Sequence, residues 1–234
     1  LLTSVATAVL DLAFPVVFAL AIGREIVAGK NWRNLIVLAL FSLFTLANLL
    51  FHVDSARGNF AADGLGFRMG LATAVMLISL IGGRIVPSFT RNWLMKRGNA
   101  DLPAPVSQFD RLTLMTTALS LLVWTAVPLH PATAFFCLLA ALANLIRLVR
   151  WSGRHTLAEP LVWVLHLGYL FIPAGFLAIA LSIWGFEVSP AVGARHIWMV
   201  GAIGLRTSAV MTRGRLGRAG RPLSAPPGAP AADV

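Results

Sequence analysis

Four of the five histidines lie in or at the ends of long apolar runs, where an imidazole could bind a metal. His52, His130 and His196 each lie at an end of such a run, and His166 lies inside another. Neutral imidazole is a good ligand for copper and a common axial ligand for haem. No local motif joins these residues, so the same pattern also fits histidines that cap helix ends or contact interfacial water.

The composition places these histidines in a membrane protein. Hydrophobic residues make up 58% of the chain and charged residues 12%, and the mean hydropathy is +0.80. A soluble protein of 25.0 kDa needs far more polar residues to cover its surface. We therefore expect a lipid bilayer to surround the chain.

The apolar runs are long enough to cross a bilayer as helices, because a helix rises 1.5 Å per residue and the hydrocarbon core is about 30 Å thick. They lack the alternation of a barrel strand. The sequence predicts an all-α, polytopic transmembrane bundle of about seven helices over residues 1–213. The predicted spans are residues 1–22 or 11–27, 34–53, 65–86, 112–129, 133–149, 161–184 and 196–211.

The basic residues predict the orientation, since cytoplasmic loops of membrane proteins are rich in Lys and Arg. Four segments carry most of them: Arg24, Lys30 and Arg33; Arg84, Arg91, Lys96, Arg97 and Arg111; Arg147, Arg150 and Arg154; Arg213, Arg215, Arg218 and Arg221. The opposite helix ends hold only Arg57, Arg68 and Arg195. The C-terminus is therefore predicted to be cytoplasmic, with residues 214–234 a disordered tail. Because the net charge of +10 is divided among four segments, no nucleic-acid partner is expected.

This orientation places His52, His130 and His196 on the external side and His166 near the cytoplasmic end of the sixth helix. His166 could serve a second haem site or a proton path, and a packed histidine bonded to a neighbouring helix is an equal alternative. Asp11 is mid-membrane in one register of the first helix and at the surface in the other. Arg206 lies about 15 Å deep, where a guanidinium needs a polar partner.

Several segments resemble the NnrS family. The longest are His-Ile-Trp-Met-Val-Gly-Ala-Ile-Gly at residues 196–204, with Ala-Val-Met-Thr-Arg at 209–213, Leu-Gly at 216–217 and Gly-Arg-Pro at 220–222, and Ile-Gly-Gly-Arg-Ile-Val-Pro-Ser-Phe-Thr-Arg-Asn-Trp at 81–93. Shorter ones are Ala-Asn-Leu-Leu-Phe-His at 47–52 and Trp-Val-Leu-His-Leu-Gly-Tyr at 163–169. Together they lie on four of the predicted helices.

The resemblance implies a bacterial inner-membrane protein of about twelve helices that carries haem and copper and is linked to nitric oxide metabolism and nitrosative stress. It implies His52 and His196 as ligands, with His166 as a separate candidate; His130 rests on its position alone. This chain departs from the family pattern at Arg206, where the family has Met, and at residues 218–219, where it has His-Thr. A guanidinium cannot replace a thioether as a copper ligand, so these departures affect the expected metal content.

Two further expectations concern the extent and the class of the protein. The chain begins inside an apolar run without an initiator methionine, so we expect the C-terminal part of a longer protein whose N-terminal helices are missing, with a cleaved signal peptide as the alternative. A secondary transporter would use Asp11, Arg206 and His166 as a polar path. A membrane assembly or sensor protein without chemistry would use the same residues for packing.

Overall fold

The computed structural model describes residues 2–185, 191–205 and 211. These residues form helices and connecting loops without a strand, which confirms the predicted fold class. The helices are α1 Leu2–Ala28, α2 Leu35–Ala56, α3 Leu65–Lys96, α4 Gln108–Ala126, α5 Pro131–Val149, α6 Pro160–Ile183 and α7 Ala191–His196, which continues as π-helical turns over Ile197–Leu205. The predicted tail at residues 214–234, Arg206 and Arg218 lie outside the described residues.

Five of these helices are long and apolar enough to cross a membrane. They are the segments Val5–Ala28, Trp32–Ala56, Leu65–Lys96, Pro131–Val149 and Pro160–Ile183. The protein is therefore a multi-pass membrane protein. The seventh predicted span begins earlier than expected, because α7 starts at Ala191, and part of that span lies outside the described residues.

Helix α4 differs from the others because it buries a polar face and exposes an apolar one. Its buried residues follow helical spacing: Asp110, Thr113, Thr117 and Ser120. The exposed residues are Leu112, Met115, Leu119 and Leu122. A helix of a soluble protein places its apolar stripe inward, so the reversed pattern of α4 is that of a helix surrounded by lipid. The buried polar groups also explain why α4 is less apolar than the five spanning helices.

Helix α3 continues ten residues beyond the predicted end at Val86, through Pro87 to Lys96. The prediction ended where the apolar run ended, whereas a helix ends where its backbone hydrogen bonds end. Proline lacks an N–H group, but its ring is compatible with a continuing membrane helix when neighbouring groups satisfy the freed carbonyl. The extension matters because it carries Thr90, a buried residue whose hydroxyl donates to Val86 O.

Helix α4 begins four residues before the predicted start at Leu112, because a capping arrangement precedes the apolar run. The backbone N–H and the hydroxyl of Ser107 both donate to Oδ2 of Asp110, at 2.9 and 3.2 Å. A Ser followed three residues later by an acid is typical of a helix N-terminus. The carboxylate of Asp110 is thereby held at the first turn of α4.

The chain forms two compact units, which we call unit 1 (Leu1–Leu77 with Trp124–Pro128) and unit 2 (Ile78–Val123 with Leu129–Val234). In unit 1, α1 packs against α2, and Phe18 and Phe41 meet edge to face with ring centroids 5.1 Å apart. In unit 2, α6 packs against α5 and against the π-helical turns, where the indole N–H of Trp198 donates to Ile172 O at 3.1 Å.

Candidate cofactor-binding histidines and a buried polar network

His52 lies one turn before the end of α2 and is held by a carboxylate from α1. Its Nε2 is 2.9 Å from Oδ2 of Asp11. The amide of Asn48, one turn earlier on α2, donates to the same oxygen at 3.0 Å. The His52 side chain is 20% exposed and that of Asp11 is 56% exposed. The pair is therefore fixed on one side by hydrogen bonds and open on the other.

This pairing also shows which part of α2 lies beside Asp11. Helix α1 runs from Leu2 to Ala28, so one helix covers both predicted spans. Asp11 lies level with His52, near the C-terminal turn of α2, rather than at the middle of that helix. About 13 Å of helix precedes Asp11.

His166 has a different environment, because it is buried within unit 2 with a partner at each ring nitrogen. Its Nδ1 is 3.1 Å from Val162 O, one turn earlier on α6, and its Nε2 is 3.3 Å from Oγ1 of Thr90. The ring packs against Gly153, where a Cβ atom would overlap with the imidazole. The imidazole is thus packed against Gly153 and bonded to the neighbouring helix α3 through Thr90.

A cavity of about 480 Å³ adjoins His166. This volume is within the range of small-molecule and cofactor sites in proteins. Its walls come from the end of α5, the loop that follows and the first half of α6, and they are mostly apolar. The lining residues are Leu148, Val149, Gly153, Arg154, Leu157, Trp163, His166, Leu167 and Leu170. The imidazole and the guanidinium of Arg154 are the polar groups that such a ligand would meet.

The other two candidate histidines lie at helix ends. His130 does not end α4, which stops at Ala126, but is the N-cap of α5: its Nδ1 accepts from the N–H of Ala132 at 3.1 Å. Pro131 follows at the first helical position, where its missing N–H costs nothing. His196 is the last residue of α7 and is exposed. The capping bond of His130 favours a structural role for that residue.

The described residues do not assemble a multi-ligand metal centre. Among them, no group of three or more His, Cys, Asp or Glu side chains could hold a metal ion. Cys137 is buried and lies 3.4 Å from the hydroxyl of Ser120. Haem needs only one or two axial ligands, so single histidines such as His52 and His166 fit a haem ligand by number, whereas the described residues provide no complete copper coordination.

The most extensive polar cluster in unit 2 was not predicted, and it centres on Arg147. The Nε of Arg147 is 3.0 Å from Oδ1 of Asp110, and the two side chains are 3% and 7% exposed. Arg147, which the orientation argument counts with Arg150 and Arg154 at the end of the fifth helix, has its guanidinium buried in this ion pair. The remaining basic residues still favour the same orientation.

The ion pair belongs to a network that joins four helices, which we call the Arg147 network. Nη1 of Arg147 donates to Ser79 O at 3.3 Å and to the hydroxyl of Tyr169 at 3.1 Å. That hydroxyl donates to Asn144 Oδ1 at 2.7 Å, and the Asn144 amide donates to Thr117 Oγ1 at 2.8 Å. A buried polar network is stabilising when every member has a partner. The network thus connects α3, α4, α5 and α6.

Two sequence signals could have revealed the Arg147 network. One is the Ser107-to-Asp110 capping pattern, which places an acid on a helix rather than in a loop. The other is the buried face of α5, whose small and polar residues recur at intervals of three or four: Thr133, Cys137, Ala140, Asn144 and Arg147. In the structure, Gly83 leaves room for the Arg147 guanidinium, since a Cβ at this position would overlap with it.

Glu159 is a buried acid that precedes α6. It is 3% exposed, and its Oε1 has no hydrogen-bond partner in the part of the chain that the structure describes. It lies seven residues before His166, which is two helical turns and hence the same side of α6. A buried carboxylate oxygen without a donor is costly unless water or a ligand reaches it.

The fold and these polar groups define a polytopic α-helical membrane protein with exposed apolar helix faces and, within unit 2, a buried histidine and a buried ion pair. A comparison with protein families agrees: the family model described as NnrS protein matches residues 1–234. The chain therefore belongs to the NnrS family, which confirms the resemblance seen in the sequence. No curated protein and no solved structure matches the chain.

Proposed function

We propose that this NnrS-family protein is a haem- and copper-binding protein of the bacterial cytoplasmic membrane that acts in nitric oxide metabolism or the nitrosative-stress response. The family match over residues 1–234 supports this proposal. The structural observation that carries it is His166, a buried histidine beside a cavity of about 480 Å³. Bound haem would supply an iron centre that binds small diatomic ligands and transfers electrons.

The residues around His166 fit a haem ligand. Val162 O can only accept, so Nδ1 of His166 donates to it, and this bond leaves Nε2 as the coordinating atom. The hydroxyl of Thr90 lies 3.3 Å from Nε2 and already donates to Val86 O at 2.9 Å, so it would keep that bond if a ligand took its place beside Nε2. The apolar walls suit a macrocycle, and Arg154 offers a cation to an anionic substituent.

The copper ligands that we propose are His52, His196 and His130, in that order. His52 comes first because a carboxylate partner fixes its ring, which is the usual arrangement of a metal-binding histidine. His130 comes last because its Nδ1 lone pair already accepts from Ala132 N. We assign no complete coordination sphere to the described residues.

The test is an optical spectrum and a copper assay of the purified full-length protein. The wild type should show a haem spectrum, and His166→Ala should lose most of the bound haem because it removes the residue that we propose would hold it. His155→Ala is the matched control: its imidazole faces Asp101 at 3.4 Å, and the variant should keep the haem. A wild type that binds neither haem nor copper would refute the proposed function.

The proposed orientation has basic loops and the C-terminus on the cytoplasmic side, as the Lys and Arg distribution suggests. Single cysteines in a Cys137→Ala background test it with an impermeant thiol reagent in intact cells. Asn59 and Val106 are both exposed and lie in loops of opposite predicted sides. Asn59→Cys should be labelled and Val106→Cys shielded; the reverse result would invert the topology.

A secondary transporter is the second candidate, and the Arg147 network is the observation that favours it. Charged groups within membrane helices often mark a substrate or ion path. A protein without haem or copper whose reconstituted vesicles accumulate a labelled solute, and lose this uptake in Arg147→Met, would support the transporter instead.

A further inference from the structure

Helix α3 carries an exposed basic face near its C-terminal end. The residues of this face are exposed and recur three or four positions apart on one side of the helix: Arg84, Ser88, Arg91 and Met95. Lys96 is exposed beside them. Residues 64–100 contain no Asp or Glu, so α3 itself offers no acid to these cations. The basic face lies wholly within unit 2.

The helix dipole accounts for only part of this basic face. Cations in the last turn of a helix complement the partial negative charge of its C-terminus, and Lys96 is the last residue of α3. Arg84 lies more than three turns earlier on the helix, beyond the last turn in which the dipole acts. The position of Arg84 therefore calls for a different anion.

The depth of Arg84 in the membrane follows from its distance to Trp93. An indole ring prefers the headgroup region of a bilayer, and the guanidinium of Arg97 lies over the Trp93 ring, 4.5 Å from its centroid. Arg84 precedes Trp93 by about 13 Å along the helix axis, and the preceding residues 69–83 carry no charge. The backbone of Arg84 therefore lies inside the edge of the hydrocarbon region, and its long side chain reaches back toward the headgroups.

Another arginine of the same helix has protein partners that Arg84 lacks. The guanidinium of Arg68, near the N-terminal end of α3, donates to the backbone carbonyls of Asp63 and Thr125. By contrast, the side chains of Arg84 and Arg91 form no hydrogen bond or ion pair with another residue that the structure describes. An exposed guanidinium at the edge of the hydrocarbon region is costly without an anion. The surrounding lipid is the source of that anion.

We propose that this basic face binds an anionic phospholipid, whose phosphate is held by Arg84 and Arg91 and whose acyl chains lie along the apolar surface at Ile81. The two arginines are about 10 Å apart along the helix axis, so their side chains can converge on a phosphate level with Ser88. A guanidinium binds a phosphate through two parallel hydrogen bonds, and a hydroxyl can donate to the same group. Ile81 is 40% exposed and lies one turn nearer to the centre of the bilayer. Because the face is cationic, it selects an anionic lipid over a zwitterionic one.

The test measures how tightly the full-length protein in micelles binds phosphatidylglycerol, which is anionic, and phosphatidylcholine, which is zwitterionic, by native mass spectrometry at graded lipid concentrations. The wild type should bind phosphatidylglycerol more tightly. Arg84→Gln and Arg91→Gln should each weaken that binding about 5-fold, and the double variant about 30-fold, without changing the binding of phosphatidylcholine. Arg84→Lys should recover part of the affinity, because it keeps the charge but not the two parallel hydrogen bonds. The matched control is Arg57→Gln, which removes an exposed cation at the end of α2.

Arg91→Gln keeps the test valid if the double variant fails to fold, and circular dichroism in the same micelles checks the helix content of each variant. Equal binding of the two lipids by the wild type, or unchanged phosphatidylglycerol affinity in folded Arg91→Gln, overturns this inference. An equal loss in Arg57→Gln also overturns it, because the net charge rather than this face would then attract the lipid. Inorganic phosphate should not displace the lipid; displacement would show that the face binds a free anion instead. The inference does not rest on haem or copper, so a wild type that lacks both refutes the proposed function alone.

Discussion

The polar groups of the two units differ in burial and in how completely they are hydrogen-bonded. In unit 2 the Arg147 network is closed: its ion pair is buried, and hydroxyl, amide and carbonyl groups from four helices complete it. In unit 1 the Asp11 and His52 pair is open, since more than half of the Asp11 side chain is exposed. The helices follow the same division, for only 6% of the apolar part of α1 and of α2 is buried, against 39% in α5 and 61% in α6.

The difference is between polar groups that stabilise the fold and polar groups that can still bind a ligand. A closed network uses its donors and acceptors internally, so removing a member leaves another group buried without a partner. An open pair keeps a coordinating atom and an exposed carboxylate, so its removal costs little to the fold. We therefore expect substitutions in unit 2 to change stability and substitutions at Asp11 to change binding.

The largest effect is expected at the buried ion pair. Asp110→Ala should lower the free energy of unfolding by about 3–5 kcal/mol, because it leaves the Arg147 guanidinium buried and unpaired. The measurement is unfolding in mixed micelles followed by circular dichroism. Arg150→Ala is the control: its guanidinium is 31% exposed and lies 3.8 Å from the same carboxylate, so its loss should cost less than about 1 kcal/mol.

A double variant sharpens this prediction. Asp110→Leu combined with Arg147→Met removes both charges and should be far closer to the wild type than either single variant, because neither charge is left unpaired. Equal stability of Asp110→Ala and Arg150→Ala would show that the pair does not stabilise unit 2. The buried network of unit 2 would then contribute no more to stability than the exposed pair of unit 1.

The helices could be predicted because lipid imposes a simple rule on the sequence: apolar runs must be long and helical. The predicted helix ends were less accurate, because hydropathy carries no information about hydrogen bonds. Thr90 illustrates this: it lies beyond the predicted end of α3, yet it is buried and contacts His166. The Ser107 cap illustrates the same point at the start of α4.

The site was predicted only in part, for a physical reason. Residue type alone singles out candidate ligands, and it singled out histidines such as His52 and His166. It does not find their partners, because Asp11 is 41 residues from His52 and Thr90 is 76 residues from His166. Arg147 was missed because a positive charge near a helix end looks like a loop residue until its acid, 37 residues earlier, is placed beside it.

A substitution at Glu159 tests whether every buried polar group of unit 2 needs a hydrogen-bond partner within the protein. Its Oε1 is a buried acceptor without a donor among the described residues. Glu159→Gln removes the negative charge while keeping the shape, so the free energy of unfolding should rise by about 1 kcal/mol. The same micelle unfolding measures it. A fall in stability or in bound haem would instead indicate that the carboxylate serves a ligand of the His166 cavity.

The smallest stability effect is expected in unit 1. Asp11→Ala should change the free energy of unfolding by less than about 1 kcal/mol, since the carboxylate is 56% exposed and exposed ion pairs contribute little to stability. The matched variant is Asn48→Ala, which removes the second donor to the same oxygen and should also leave stability nearly unchanged. If Asp11→Ala instead destabilises the protein as strongly as Asp110→Ala, the pair in unit 1 is part of the framework. Asp11 would then hold α1 against α2, and a change of copper binding in the same variant could not be attributed to the orientation of His52.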